Sequence, residues 1–196
     1  MIVKGMFIIL WLSLSSFLLK AQETYKMRKS ENQDMSISGT STLHKWTMNT
    51  KKLNGGAQFG FIPGHQNQIA SVQSLTLSLE VISLKSKDKA LDKNAYKALK
   101  TDQFKDISYT LTAATVSPGK NNRCKIATTG NLEIAGVKNK IYMDVYCTVN
   151  DDNSITCTGT DALKMTDYNV KPPSFMLGAM KTGDELTLDF TVVYKK

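Results

Sequence analysis

The sequence predicts an all-β fold of antiparallel strands with one short helical connection. Several segments alternate apolar and polar residues with a period of two, turn-forming residues separate them, and one segment has helical periodicity. Alternation of this kind gives each strand one dry face and one solvated face, which is typical of antiparallel sheets. Many such strands joined by short connections pack as a sandwich or as a closed barrel.

The strand pattern is clearest in the segments SLTLSLEVIS (74–83), NKIYMDVYCTV (139–149) and ELTLDFTVVY (185–194), and it is weaker in CKIATTGNLEI (124–134). In each of the first three segments, the alternate apolar residues are predicted to share one face of a strand. Those residues are Leu75, Leu77, Leu79 and Val81; Ile141, Met143, Val145, Cys147 and Val149; and Leu186, Leu188, Phe190 and Val192.

Clusters of Gly, Pro, Asn and Asp between the strand segments predict turns. They are Asn54-Gly55-Gly56, Pro118-Gly119-Lys120-Asn121, Ala135-Gly136, Asp151-Asp152-Asn153 and Thr182-Gly183-Asp184.

The segment LDKNAYKALK (91–100) predicts the helix. It brings Leu91, Ala95, Ala98 and Leu99 to one side, with lysines over the rest, and Asp88 or Asp92 is a candidate for stabilising its N-terminus. The segment VKPPSFMLGAMKTGD (170–184) fits neither pattern, because Pro172-Pro173 cannot donate ladder hydrogen bonds. Its apolar residues are expected to cover a cavity opening, fill the end of the core or touch a ligand.

The N-terminal sequence MIVKGMFIILWLSLSSFLLKAQ predicts a signal peptide over residues 1–21, which leaves residues 22–196 as one domain. A retained N-terminal anchor is the alternative. A cleaved leader implies a periplasmic or secreted protein without stable membrane insertion.

The net charge is +8, and it falls to +6 for residues 22–196 because the leader contains Lys4 and Lys20 and no acids. Nearly all cations are lysines that alternate with acids, whereas nucleic-acid-binding proteins use clustered arginines with stacking aromatics. The composition therefore argues against a nucleic-acid partner. Weak attraction to anionic lipid headgroups stays open.

The three cysteines allow one disulfide in an oxidising compartment. A three-residue loop over 151–153 would set Cys147 opposite Cys157, within disulfide range. The alternative is that Cys124, Cys147 and Cys157 are all small buried apolar residues.

The sequence gives no positive sign of a metal site, a cofactor or catalysis. His44 and His65, the two histidines, have no carboxylate or cysteine close in sequence. Ser41 near His44 only loosely suggests a nucleophile and its base, and the usual turn around a catalytic serine is missing.

Four landmarks in order make the chain resemble the YceI-like family: SGTSTLHKW (38–46), LKSKDKALDKNAYKALKTDQFKDISYTL (84–111), GNLEIAGVKNKIYMDV (130–145) and MTDYNVKPPSFMLGAMKTGDELTLDF (165–190). One departure is Lys105-Asp106-Ile107, where the family often has a proline before the isoleucine. The resemblance implies an eight-stranded antiparallel lipocalin-like barrel with a helix in one connection. It also implies export and, as in some members, an isoprenoid-type or similar lipid chain inside the barrel.

An eight-stranded barrel either fills its interior with side chains or holds one small ligand. We therefore expect a non-enzymatic carrier whose ligand is an apolar lipid, with His44 and Trp46 at a polar rim. His44 either binds the polar head of the lipid or fixes a structural corner, and the corner is favoured. The oligomeric state is not predicted, and a dimer is compatible with the sequence. The residues expected to line the ligand site are Leu75, Leu77, Leu79, Ile141, Met143, Val145, Phe175, Met176, Leu177, Leu186, Leu188 and Phe190.

Two other functions stay open at this stage. One is an enzyme that acts on such a lipid through Ser41 or His44. The other is a structural or interaction protein whose barrel is simply filled by its own side chains.

Overall fold

A computed structural model describes residues 22–27, 33–175 and 180–196. The predicted leader, residues 1–21, lies outside the described residues. The described part forms eleven strands and one α-helix. The elements are β1 (Gln22–Met27), β2 (Asp34–Ser41), β3 (Lys45–Thr50), β4 (Asn54–Ile62), β5 (His65–Glu80), α1 (Lys89–Ala98), β6 (Asp106–Pro118), β7 (Arg123–Ile134), β8 (Val137–Val149), β9 (Ile155–Lys164), β10 (Ser174–Phe175) and β11 (Met180–Lys195).

Eight strands close into a ring in the order β1-β4-β5-β6-β7-β8-β9-β11. Every neighbouring pair is antiparallel, and the ring is closed by β11 against β1, where Lys26 pairs with Lys195 and Met27 with Tyr194. The predicted eight-stranded antiparallel barrel is therefore confirmed.

Two walls of the barrel are each formed by one strand over part of their length and by another strand over the rest. Beyond β1, the same edge of β11 pairs with β2, from Thr191 opposite Asp34 to Thr182 opposite Ser41. Strand β3 then pairs with β2, as β4 pairs with β1. At this end, β3 is bridged to the segment after β5 through Asn49 and Lys85, whose backbones exchange hydrogen bonds of 2.8 and 2.9 Å.

Helix α1 lies at the same end, and its position agrees with the helix predicted from the sequence. Asp88 is the N-cap, since its side chain accepts a 2.7 Å hydrogen bond from the Ala90 amide. The other candidate, Asp92, is buried and accepts hydrogen bonds from the amide and the hydroxyl of Ser86. Tyr96 donates to the Leu84 carbonyl oxygen at 2.6 Å and holds the helix against the segment that follows β5.

Three of the predicted turns are confirmed. The connection after β6 turns between Pro118 and Arg123, and Ala135-Gly136, both with positive φ, join β7 to β8. Between β8 and β9, the amide of Asn150 donates to the carbonyl oxygen of Ser154 at 2.8 Å, which leaves 151–153 as the three-residue loop.

Two turn predictions are wrong, because the glycines serve strands. Asn54-Gly55-Gly56 begins β4, and a Cβ on Gly55 would lie 2.1 Å from the carbonyl oxygen of Thr76 on the neighbouring strand. Thr182-Gly183-Asp184 lies within β11, where the pairing with β2 shifts register between Thr182 and Leu186. The first predicted strand also ends at Glu80, so that Val81 begins a 3₁₀ turn, Val81–Ser83.

The cysteines form a row across three adjacent strands. Cys147 on β8 lies opposite Cys124 on β7 and opposite Cys157 on β9. A disulfide joins Cys147 to Cys157, which is the pairing that the hairpin spacing allows. Because of this disulfide, the alternative of three unpaired cysteines is wrong. Cys124 is buried and carries a free thiol.

The end of the barrel opposite α1 is closed by aromatic side chains, and we call it the aromatic end. Tyr25, Phe59 and Tyr194 are each 1% exposed. Phe59 contacts the other two edge-on, with ring centroids 5.5 Å from Tyr25 and 5.7 Å from Tyr194. The end that holds α1 is the helix end.

Candidate ligand-binding cavity

The barrel encloses an apolar space that we call the inner chamber, with a cavity volume of about 100 Å³. Its walls are the inward faces of the strands, because alternate residues of each strand point to one side of the sheet. Eight of the residues predicted from the sequence line it: Leu75, Leu77, Leu79, Ile141, Met143, Val145, Leu188 and Phe190.

A second space, the outer chamber, lies at the helix end and has a cavity volume of about 130 Å³. It is lined by the apolar side of α1, by the ends of several strands and by Trp46 and Leu186. The two chambers adjoin, because five apolar residues line both of them. The shared boundary residues are Ile37, Leu84, Ile107, Ile134 and Leu163.

Most of the predicted lining residues are half-buried although they lie in the middle of strands on the inner face. Leu75 and Leu77 on β5 and Met143 on β8 belong to this group. On their solvent side, by contrast, Tyr142 is 70% exposed. Since protein cores are normally close-packed, inward apolar side chains with free surface indicate that they face a space.

The wall between β8 and β9 opens toward the helix end. The pairing of these strands runs from Val149 opposite Ile155 to Val145 opposite Gly159. Gly159 provides room for Phe190, because a Cβ at this position would lie 2.5 Å from the ring. Further along, the side-chain amide of Asn139 donates to the Asp167 carbonyl oxygen at 2.6 Å and connects β8 to the 3₁₀ turn Thr166–Tyr168.

Tyr109 and Thr128 are polar residues in the lining of the inner chamber that sequence reasoning did not single out. The Thr128 hydroxyl donates to the Met143 carbonyl oxygen at 3.0 Å. Tyr109 is buried, and its hydroxyl has no hydrogen-bond partner among the described residues. Burial raises the pKa of Tyr109. The alternation in ISYTL (107–111) places Tyr109 on the face of Ile107 and Leu111, but this pattern does not show how its hydroxyl is hydrogen-bonded.

The two predicted rim residues are placed differently. Trp46 lines the outer chamber, and its indole N–H donates to the Thr40 carbonyl oxygen at 3.1 Å. Gly39 allows this position, since a Cβ there would lie 2.5 Å from the indole ring. His44 is exposed and is not part of the lining of either chamber.

The turn at His44 is held by the Ser41 hydroxyl, which bonds to backbone groups of His44. The Ser41 hydroxyl donates to the His44 carbonyl oxygen at 2.9 Å and accepts from the His44 amide at 3.2 Å. The imidazole takes no part in these bonds, so this geometry makes Ser41 a turn residue and not a serine paired with a base.

The remaining predicted lining residues belong to the segment after Pro172-Pro173. The sequence pattern of this segment predicts neither a strand nor a helix, but Ser174–Phe175 forms a short strand in which Phe175 pairs with Met180 and Ser174 with Lys181. Met176 and Leu177 lie outside the described residues.

No group of three or more His, Cys, Asp or Glu residues that could hold a metal ion occurs within 22–27, 33–175 and 180–196. Over the same ranges, no helix combines the length and the apolar character that a membrane span requires.

Several solved structures have a similar fold. BcnA of Burkholderia cenocepacia matches with a TM-score of 0.65 and 19% identity, over 85% of this chain and 98% of its own. A polyisoprenoid-binding domain from Saccharophagus degradans, implicated in plant cell wall breakdown, matches with a TM-score of 0.64 and 12% identity, over 87% and 97%. The YceI protein of Campylobacter jejuni matches with a TM-score of 0.58 and 19% identity, over 76% and 84%.

At these identities the likeness concerns the fold. A search of curated proteins finds no match for this chain. The model of the YceI-like domain, in contrast, matches residues 26–194, which includes all eight strands of the ring except the first residues of β1 and the last residue of β11. Together with the closed eight-stranded ring and its apolar interior, this match shows that the chain belongs to the YceI-like family.

Proposed function

We propose that this protein is an exported, non-enzymatic binding protein that holds an isoprenoid-type or similar lipid chain in its barrel, for transport, storage or sequestration. The observation that carries the proposal is the pair of adjoining apolar chambers, whose strand residues face free space. The polyisoprenoid-binding domain from Saccharophagus degradans, which has a similar fold, supports the choice of ligand class.

The energetics favour a long chain over a small apolar molecule. Each buried methylene contributes about 0.8 kcal/mol, so that one five-carbon unit contributes roughly 3–4 kcal/mol before costs. The loss of translational and rotational freedom costs about 4–15 kcal/mol whatever the chain length. Several units are therefore needed for tight binding, and the two adjoining chambers offer apolar walls on which such a chain would be buried.

The export part of the proposal rests on the leader-like sequence of residues 1–21, and the disulfide between Cys147 and Cys157 fits an oxidising compartment. The absence of catalysis is part of the proposal as well. It is supported by the bonding of Ser41 to the backbone of His44 in place of its imidazole.

The test is organic extraction of the gently purified protein, followed by mass spectrometry of the extract. We expect a long apolar lipid at near one equivalent from the wild-type protein and its loss from Met143→Glu, because this variant places a charge in the inner chamber. Tyr142→Glu is the matched control, because Tyr142 is the neighbouring residue on the outer face. This variant should retain the lipid.

Circular dichroism must show that Met143→Glu is folded. If Met143→Glu does not fold, we would conclude that Met143 is an ordinary core residue. A wild-type barrel that yields no lipid and binds no added long-chain lipid would refute the proposal and favour a barrel without a ligand.

A further inference from the structure

Helix α1 and the segment before it carry a group of exposed lysines that we call the lysine face. Its members border one shallow depression of the protein surface: Lys85, Lys87, Lys89, Lys93, Lys97 and Lys100. Residues 85–105 contain seven lysines and three aspartates, which gives +4 of the +6 net charge of residues 22–196. Most of the excess positive charge therefore lies at the helix end of the barrel.

Helical periodicity separates the lysine face from the outer chamber. Lys89, Lys93 and Lys97 follow one another at four-residue intervals and therefore share one side of α1. The opposite side carries the apolar residues of α1 that line the outer chamber, which are Leu91, Ala95, Ala98 and Leu99. Helix α1 thus presents cations to the solvent and an apolar side to the cavity.

Most of these lysines have no acidic partner. Lys85 is the exception, because its ammonium group donates to the Tyr96 hydroxyl at 2.8 Å and lies 4.0 Å from the Asp92 carboxylate. Within the part of the chain that the structure describes, no carboxylate lies at ion-pair distance from the other five lysines of the face. At the aromatic end, in contrast, both C-terminal lysines are ion-paired. The five amines are thus available to anions outside the protein.

Two exposed aliphatic side chains lie at the same end of the barrel. Ile82, in the 3₁₀ turn after β5, is 53% exposed, and its carbonyl oxygen accepts a 3.2 Å hydrogen bond from Tyr96 of α1. Leu43 is 68% exposed in the turn between β2 and β3, close in sequence to Trp46 of the outer chamber. Lysines accompanied by exposed aliphatic residues are typical of surfaces that adsorb to a bilayer, where amines contact anionic headgroups and aliphatic groups enter the interface.

We propose that the lysine face docks this protein on an anionic membrane surface, with the helix end toward the bilayer. A bilayer fits better than an acidic protein, because Ile82 and Leu43 are exposed at the same end and because a bilayer is where an apolar chain resides before it enters a barrel. The second of these reasons rests on the proposed function. Docking in this orientation brings the outer chamber next to the lipid.

The test is flotation of the protein with vesicles that contain equal parts of phosphatidylglycerol and phosphatidylcholine, and vesicles of phosphatidylcholine alone are the uncharged comparison. The protein is purified as the cell exports it, and all variants carry the same N-terminus. The variant Lys89→Gln/Lys93→Gln/Lys97→Gln removes the charges from one side of α1 and keeps the length of the side chains.

The matched control is Lys120→Gln/Lys195→Gln/Lys196→Gln, which removes the same number of exposed charges at the aromatic end. Because both variants lower the net charge equally, their comparison separates a docking face from a general attraction of a basic protein to an anionic surface.

We expect the wild-type protein to bind the anionic vesicles and not the uncharged ones. The variant of α1 should bind about 100-fold more weakly, since each lysine near an anionic surface contributes about a factor of five, and the control should bind nearly like the wild type. Equal losses in both variants would overturn a docking face. Binding to soluble polyglutamate without binding to vesicles would overturn the membrane in favour of an acidic partner.

The salt dependence of the wild-type protein keeps the inference testable if the variant of α1 does not fold. Binding to the anionic vesicles should weaken steeply as sodium chloride is raised, because exposed charges are screened. Binding that is independent of salt would overturn the role of the lysines. The proposed function is judged separately, by extraction: a protein that yields its lipid but does not bind anionic vesicles overturns the docking face alone.

Discussion

The two ends of the barrel are packed in opposite ways. At the aromatic end, Tyr25, Phe59 and Tyr194 are each 1% exposed and meet edge-on, and the disulfide of β8 and β9 lies on the same side of the molecule. At the helix end, Trp46, Leu99 and Leu186 are half-buried around the outer chamber. The same strands therefore run from an end whose aromatic side chains are fully buried to one where several apolar side chains keep free surface.

This difference assigns stability to the aromatic end of the barrel and the proposed binding to the helix end. Unfilled apolar space costs stability, because side chains that line it lose packing contacts. The closely packed aromatic end offsets that cost and closes the barrel. Under the proposed function, a chain would enter at the helix end, where the wall at β3 is bridged to the neighbouring segment through Asn49 and Lys85.

The largest effect should follow from breaking the aromatic end. Phe59→Ala removes the ring that contacts both Tyr25 and Tyr194. We expect the free energy of unfolding to fall by about 3–5 kcal/mol in chemical denaturation, as for other buried phenylalanines. Leu99→Ala at the helix end is the matched control and should lose less than half as much. Equal losses at both ends would contradict the difference in packing.

The disulfide should have the next largest effect. Reduction of the wild-type protein should lower the free energy of unfolding by about 2–3 kcal/mol, as expected for a short closed loop. Cys124→Ala should respond to the reductant like the wild type, because it keeps the bond, whereas the double variant Cys147→Ala/Cys157→Ala should not respond. A wild-type protein that is equally stable with and without reductant would show that this bond does not support the aromatic end.

The smallest effects are expected at the rim of the helix end. His44→Ala should change the free energy of unfolding by less than about 0.5 kcal/mol, as for other exposed residues. It should also leave lipid binding unchanged, because the turn uses the backbone of His44. Trp46→Ala should weaken lipid binding measurably, since Trp46 lines the outer chamber. A binding defect in His44→Ala instead would place the polar head of the lipid at His44.

The regular parts of the fold could be predicted from the sequence because they obey local rules. The alternation in β5, β8 and β11 identifies the inner face, and the hairpin between Cys147 and Cys157 also follows from a short-range pattern. For the helix N-terminus, the sequence offers Asp88 and Asp92, and the structure selects Asp88. The turn predictions at Asn54-Gly55-Gly56 and Thr182-Gly183-Asp184 are wrong, because a glycine in a turn and a glycine in a strand give the same local signal. Gly55 serves close approach to Thr76, which lies far away in sequence.

The cavity could be predicted only in part. Alternation shows which side chains point inward, but the space they leave depends on how all eight strands close. The position of the Tyr109 ring likewise depends on Gly130 of the neighbouring strand, where a Cβ would lie 2.3 Å from the phenolic oxygen, and thus on register. The half-buried state of Met143 has the same origin, since it reflects what lies across the barrel.

The most direct test of the central claim is the quenching of Trp46 fluorescence by a long alkyl chain that carries bromine at one end. In a Trp11→Phe background, Trp46 is the remaining tryptophan, and it lines the outer chamber. If a chain occupies the barrel, quenching is saturable at one equivalent, is competed by the unlabelled chain and is lost in Met143→Glu. Quenching that rises without saturation, or none at all while the barrel stays folded, would contradict an apolar chain inside this barrel.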